Sequence, residues 1–180
     1  RDSINRLAKN GQRYLYYTVT ESIERDLPVE LALLPFIESQ FDPYAQSSTG
    51  ASGIWQFILS TAREQKLKKN WWYDGRRDIV ASTDAAYNYL TKLHNKYDDW
   101  LLAIAAYNAG PNRILKEIKK NKAKGLPTDF WSLKLPKETK AYVPKLLALL
   151  EVIKNPDKFS VVIPNLPNRP YFQLVTLPSQ

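Results

Sequence analysis

The sequence predicts an all-α fold, an orthogonal assembly of helices followed by a short, extended, Pro-rich C-terminal arm. Three observations carry that prediction. Apolar residues recur every three or four positions, as in Ile4, Leu7, Gly11, Leu15, Val19 and Ile23, the period of an amphipathic helix. Residues that stop and start helices punctuate the chain at Leu27-Pro28, Asp98-Asp99 and Ala109-Gly110-Pro111. From Val161 onward the texture changes to prolines and an extended-looking stretch, Tyr171 to Thr176.

The elements follow in order. Pro28 suits the first turn of the second helix, whose apolar run Leu31, Leu34, Phe36 and Ile37 leads to Glu38. Pro35 lacks the amide hydrogen for the bond back to Leu31, so a kink or a tightened last turn is expected. Asp42-Pro43 ends that helix, and residues 44–52 read as a loop. Gly50 and Gly53 let the backbone there pass close to another surface. The next helix is expected from about Ile54 to Leu67, with Trp55, Ile58, Leu59 and Ala62 inward, followed by an aromatic, basic loop, KKNWWYDGRR, over Lys68 to Arg77. A helix from Ile79 to Tyr97 comes next. Asp98-Asp99 then caps Trp100 to Asn108, which is apolar on nearly every side and so belongs in the core. Gly110 closes that helix and Pro111 opens a Lys-rich one. Gly125 to Pro136 is a loop with Phe130 and Trp131, and the last helix, Lys137 to Asn155, buries Tyr142, Val143, Leu146, Leu147, Leu150 and Ile153 around an interrupting Pro144. No internal repeat is visible.

At 180 residues the chain is long enough for one domain with a proper core. The division expected is a folded body over 1–159 and, over 160–180, an extended arm wrapping that body or the start of a linker. No apolar run approaches the roughly 20 residues that span a bilayer. The start, Arg1-Asp2-Ser3, leads straight into a helix; a processed or excised domain is expected, with any targeting segment upstream. The absence of cysteine excludes disulfides and thiolate metal sites, and a single histidine, His94, excludes a His-rich metal cluster. His94 lies in the polar stretch KLHNKYDD, which favours a surface position on a helix over a place in a catalytic triad. The net charge of +8 points to an anionic partner: nucleic acid, acidic membrane or a polyanionic wall polymer. The basic run Lys116 to Lys124 is most simply the wet face of a helix, and no nucleic-acid-reading motif is present.

Glu38 is the candidate catalytic group. A glutamate between Ile37 and Phe41 is out of place unless it is partnered or functional. Apolar surroundings and the carbonyl end of a helix both disfavour its charged form, and so raise its pKa toward the range of a general acid at neutral pH. A solvated Glu at a helix end would need no such account, and this segment alone does not separate the two.

Four segments do. Glu38-Ser39, GASGIWQ from Gly50, AYNAG from Ala106 and ETKAYV from Glu138 occur in this order. They resemble the four motifs of the lytic murein transglycosylases of glycoside hydrolase family 23, which have a goose-lysozyme-like domain. Gly53-Ile54-Trp55-Gln56 departs from the commoner Gly-Leu-Met-Gln, and together with LPVELALLPFIES and YDGRRDIVAST it looks like the membrane-bound D-type branch. The resemblance covers roughly Leu27 to Phe159 and makes 1–159 a lysozyme-like catalytic domain. It implies cleavage of the β-1,4 bond between N-acetylmuramic acid and N-acetylglucosamine in peptidoglycan, with 1,6-anhydromuramic acid ends. Glu38 would act as acid and then base, with no cofactor and no metal.

The resemblance also implies substrate-binding positions. Ser47 falls where the family keeps a hydroxyl near the muramyl ring, or forms a turn. Gln56 binds substrate or holds the loop. Tyr107 is a groove wall or a core residue with its hydroxyl paired. Asn108 matches a groove Asn or caps helix carbonyls. Tyr142 matches the Tyr that reaches the catalytic Glu. Asp42 reads as a helix terminator, and Asp74, Asp78 and Asp84 as caps. Trp71, Trp72 and Trp131 stack on sugars or pack. The rival readings are a hydrolytic muramidase of the same fold, a non-cleaving glycan-binding module and a nucleic-acid binder. The partner expected is the peptidoglycan glycan strand, not nucleic acid, met by a monomer in the bacterial periplasm or at the outer membrane. Any membrane attachment lies outside this stretch, and LysM wall-binding repeats are expected downstream.

Overall fold

The computed structural model describes residues 2–175, with side chains from residue 9 onward. The side chains of Ile4 and Leu7, expected to face inward, and the end of the expected tail, residues 176–180, lie outside what is described. Among the described residues, seven α-helices form the body: α1 (Asp2–Glu24), α2 (Leu34–Ser39), α3 (Leu59–Glu64), α4 (Ile79–Tyr97), α5 (Trp100–Ala109), α6 (Pro111–Ala123) and α7 (Lys137–Lys154). Only isolated bridges, and no strand, occur among the described residues.

Helix α5 is the hub, packed by α4, α6 and α7, with Leu102 to Ala106 buried. Its start is fixed by Asp99, whose carboxylate accepts from the amides of Leu101 (2.7 Å) and Leu102 (3.1 Å), two of the donors a helix start leaves unpaired. Its end is fixed by Gly110 at φ +86°, and Pro111 begins α6. On the other flank α1 joins α4 through Tyr87, whose hydroxyl donates to Thr18 O at 2.6 Å. Ile23 of α1 faces solvent instead of the core.

Three expectations need correction. The helix leading to Glu38 is two pieces, a 3-10 turn over Val29–Leu33 and then α2. Pro35 sits in the first turn of α2, where its missing amide hydrogen costs nothing, so the chain is re-started there and not kinked. The helix expected from Ile54 shrinks to α3. Gly53 to Gln56 form a turn, with Gln56 left-handed at φ +50°, and Ile58 is extended. Trp55 and Phe57 are buried as expected of apolar residues, while Ile58 and Leu59 face outward. In α7 the helix runs through Pro144, and Leu147 lies on its exposed side.

What holds the 50–57 loop is a distant segment. Arg76 is buried and paired with Asp74 at 2.7 Å, and its Nη1 donates to Gly50 O (2.8 Å) and Phe57 O (3.1 Å). Arg77 Nε donates to Ser52 Oγ at 3.1 Å. Gly53, at φ +84°, presses so closely that a Cβ there would lie 1.7 Å from Arg76 O. Beyond α7 the chain returns to α1: the Phe172 ring lies 5.2 Å from Tyr17, and Arg13 sits 5.7 Å from the Tyr171 ring centroid.

Candidate active site

Glu38 lies in the last turn of α2, half-buried, between two cavities. Leu34 and Pro35 anchor the start of that helix in the core. Immediately after it the chain bends through two left-handed residues, Gln40 (φ 54°) and Phe41 (φ 59°). Phe41 is fully buried. Asn10 of α1 donates to Gln40 O at 2.9 Å. Ser39 Oγ lies 3.0 Å from Pro35 O and 2.9 Å from Ile54 O, which ties the helix to the loop that follows.

Burial pushes the Glu38 carboxyl up from its ordinary 4.5 to about 7. The Tyr142 hydroxyl donates to Glu38 Oε1 and pulls the other way, because it favours the carboxylate. The negative charge of Glu138 adds to the rise. Desolvation is therefore the cause foreseen in the sequence, and the Glu138 carboxylate is a contribution that was not foreseen. At the helix end Phe36 O accepts from the Gln40 amide, and Pro35 O from Phe41 N and Ser39 Oγ.

The groove on one side of Glu38, about 620 Å³, is lined by Ser47, Gln56, Tyr107 and Asn108. Five of the six sequence candidates thus meet on one cavity, and the sixth, Tyr142, is buried behind Glu38. Each has a visible local role. Ser47 Oγ accepts from Ala51 N (3.0 Å) and pairs with Thr49 Oγ1 (2.9 Å), so it forms the turn and also faces the groove. Gln56 Nε2 donates to Gly53 O (2.8 Å) and Ala45 O (3.2 Å) and so holds the loop. Tyr107 donates to Trp55 O at 2.7 Å and packs on Phe57 and Tyr89. Its hydroxyl is paired and its ring still walls the groove. Asn108 caps no carbonyl: it accepts from Thr139 Oγ1 (2.8 Å) and donates to Glu138 Oε1 (3.3 Å), bridging α5 to α7.

The remaining acids lie elsewhere. Asp42 accepts from Tyr44 N, Asp78 caps α4, Asp84 pairs with Arg25, and Asp74 is an ion-pair partner and no cap. His94 stacks on Trp100 with ring centroids 4.1 Å apart. Two carboxylates that sequence reasoning passed over, Glu64 and Glu138, line the groove. Glu138 opens the ETKAYV segment, so its signal was present in the sequence; Glu64 carried none. A second cavity of about 650 Å³, with Phe36, Ile37, Lys145 and Leu149, lies on the other side of Glu38.

The transglycosylase SLT domain matches residues 16–129. The chain is 53% identical over 155 residues to membrane-bound lytic murein transglycosylase D of Escherichia coli (strain K12), covering 86% of this chain and 34% of that protein. It therefore spans about a third of the length of that curated relative. A protein of Alteromonas sp. (strain M-1), named for tributyltin chloride resistance, is 43% identical over 158 residues, 87% of this chain and 76% of its own. The X-ray structure of lytic transglycosylase Slt from Pseudomonas aeruginosa, an inactive glutamate-to-glutamine mutant, superposes with a TM-score of 0.57 at 26% identity. That match covers 81% of this chain and 24% of the other, and it makes the fold lysozyme-like. A groove with one half-buried glutamate at its floor, the ordered motifs around it and a match over most of the body agree: the chain belongs to the SLT transglycosylase domain family.

Proposed function

We propose that this domain cleaves the β-1,4 bond between N-acetylmuramic acid and N-acetylglucosamine in peptidoglycan and leaves a 1,6-anhydromuramyl end, with Glu38 as the one acid and base. The single observation that carries the reading is Glu38 itself, protonated in part at neutral pH and held at the groove floor by Tyr142. In the first half of the reaction its proton passes to the glycosidic oxygen as the C1–O bond breaks. In the second half the muramyl C6 hydroxyl attacks C1 and gives its proton to the Glu38 carboxylate, which restores the starting state. No water enters, so a second catalytic carboxylate is not required, unlike in an ordinary glycosidase.

Ser47, Gln56, Tyr107 and Asn108 bind the strand along the groove, while Tyr142 steadies the carboxylate in its basic form. The periplasm or outer membrane is where such a strand is met; the E. coli relative is named membrane-bound, and no helix among the described residues here is long and apolar enough to cross a membrane.

Hydrolysis is the second reading, and one observation favours it: two further carboxylates, Glu64 and Glu138, line the same groove, and a second carboxylate is what activates water in an inverting glycosidase. Mass spectrometry of muropeptides released from sacculi separates the two, since the anhydro product is lighter by one water than the reducing-end product. Glu38→Gln should lower turnover about a hundred- to ten-thousandfold, the range for loss of a general acid. Unchanged turnover would remove Glu38 from the chemistry.

A further inference from the structure

Helix α3 separates the catalytic groove from a cavity of about 400 Å³ on its other side. Thr61 and Glu64 face the groove, whereas Leu59, Ala62 and Arg63 face the second cavity. Its far wall is the aromatic, basic loop over 68–77, which supplies Lys69, Asn70 and Trp71. Trp71 is 88% exposed and the adjacent Trp72 is 90% exposed. Two neighbouring indoles in water are an unusual use of the largest apolar side chain.

They are not there because the loop is slack. Asn70 Oδ1 accepts from the amides of both Trp72 and Tyr73 at 2.8 Å, and Gly75 N donates to Lys68 O at 2.8 Å. At the foot of the loop, the Asp74–Arg76 pair binds it to the 50–57 segment. The same brace therefore fixes the indoles and the catalytic loop.

We propose that this cavity, with the Trp71 indole on its wall and the exposed Trp72 indole beside it, holds a second stretch of the peptidoglycan strand, outside the catalytic groove. The inference rests on the transglycosylase reading. A pyranose ring presents C–H faces that suit an indole, and Arg63 and Lys69 on the rim suit the carboxylates of lactyl groups and stem peptides. Lys66 and Lys68, both exposed, extend the cationic surface. A concave site with Asp74 among its lining groups is less suited to a bilayer, which favours a convex apolar surface. The site's effect is retention: long strands are gripped at two places, short ones at one.

The test compares the parent with Trp71→Ala/Trp72→Ala on two substrates, whole sacculi and a short soluble muropeptide oligomer. Pelleting with sacculi is measured in the Glu38→Gln background, so that cleavage does not interfere. The double variant should bind sacculi about tenfold more weakly and turn them over correspondingly slowly, with the short oligomer cleaved at the parental rate. Equal binding and turnover of sacculi by parent and double variant would overturn the second site while leaving the activity intact. Tryptophan-dependent pelleting with anionic phospholipid vesicles, and not with sacculi, would overturn it in favour of a membrane contact. A parent inert toward both substrates would instead sink the proposed activity, and the pelleting measurement would still read the second site.

Discussion

At the scale of single residues, the pair Glu38 and Tyr142 sets the pH behaviour. Glu38 titrates near 4.5 in an unfolded chain and near 7 in the fold, so the fold prefers the protonated form. The stability this preference contributes is whole below pH 4.5 and is lost as pH climbs to about 7. Glutamine cannot ionise, so the melting temperature of Glu38→Gln, relative to the parent, should rise across that window and level off above it. Thermal melts from acid to neutral pH check this, and a difference that does not vary with pH would place the carboxyl in ordinary solvent. Tyr142→Phe removes a donor that favours the carboxylate. The alkaline limb of kcat/KM, set by loss of the acid form, should therefore move to higher pH, with the maximal rate reduced because the base is less well oriented. A pH–rate profile reads both effects.

At the scale of elements, the consequential piece is the 50–57 loop, and its clamp comes from residues some twenty positions later. Gly53→Ala would set a methyl against Arg76 O and strain a left-handed backbone. It should cost about 3 kcal/mol or more in chemical denaturation and slow turnover in the molecules that remain folded. This loop also marks where local reading of the sequence fails. The starts of helices α4 and α6 were legible, because Asp78 is a cap and Gly110-Pro111 is a stop followed by a start. The run Ile54 to Leu59 has helical spacing too, yet Trp55 and Phe57 are buried by Tyr87, Tyr107 and the Arg76 clamp, all remote in sequence. Periodicity does not record such contacts. Glu38 and Tyr142 were legible because short motifs mark them, whereas the influence of Glu138 on Glu38 is a charge acting across a hundred residues of chain.

At the scale of the whole molecule, the net charge of +8 would, on the proposed function, meet a wall polymer rich in carboxylates. Attraction between them should be screened by salt, so the apparent KM for sacculi should rise several-fold between about 0.05 and about 0.5 M ionic strength, with kcat little changed. Initial-rate measurements across that range decide it. The all-α class and the central place of α5 could be read from composition and caps alone. An arm wrapping the body could be read as well, as one of two alternatives, but not its landing on α1, which depends on Tyr17 and Arg13 lying on the face that Phe172 and Tyr171 reach.

The tight bend after α2 carries one more implication. Three peptide units separate the Glu38 backbone from an aromatic ring sunk wholly in the interior, Phe41. So short a tether leaves the acid little play. On the proposed function, the adjustment would fall to the sugar chain, which would have to shift and flex until its bridging oxygen arrived at a proton held in place.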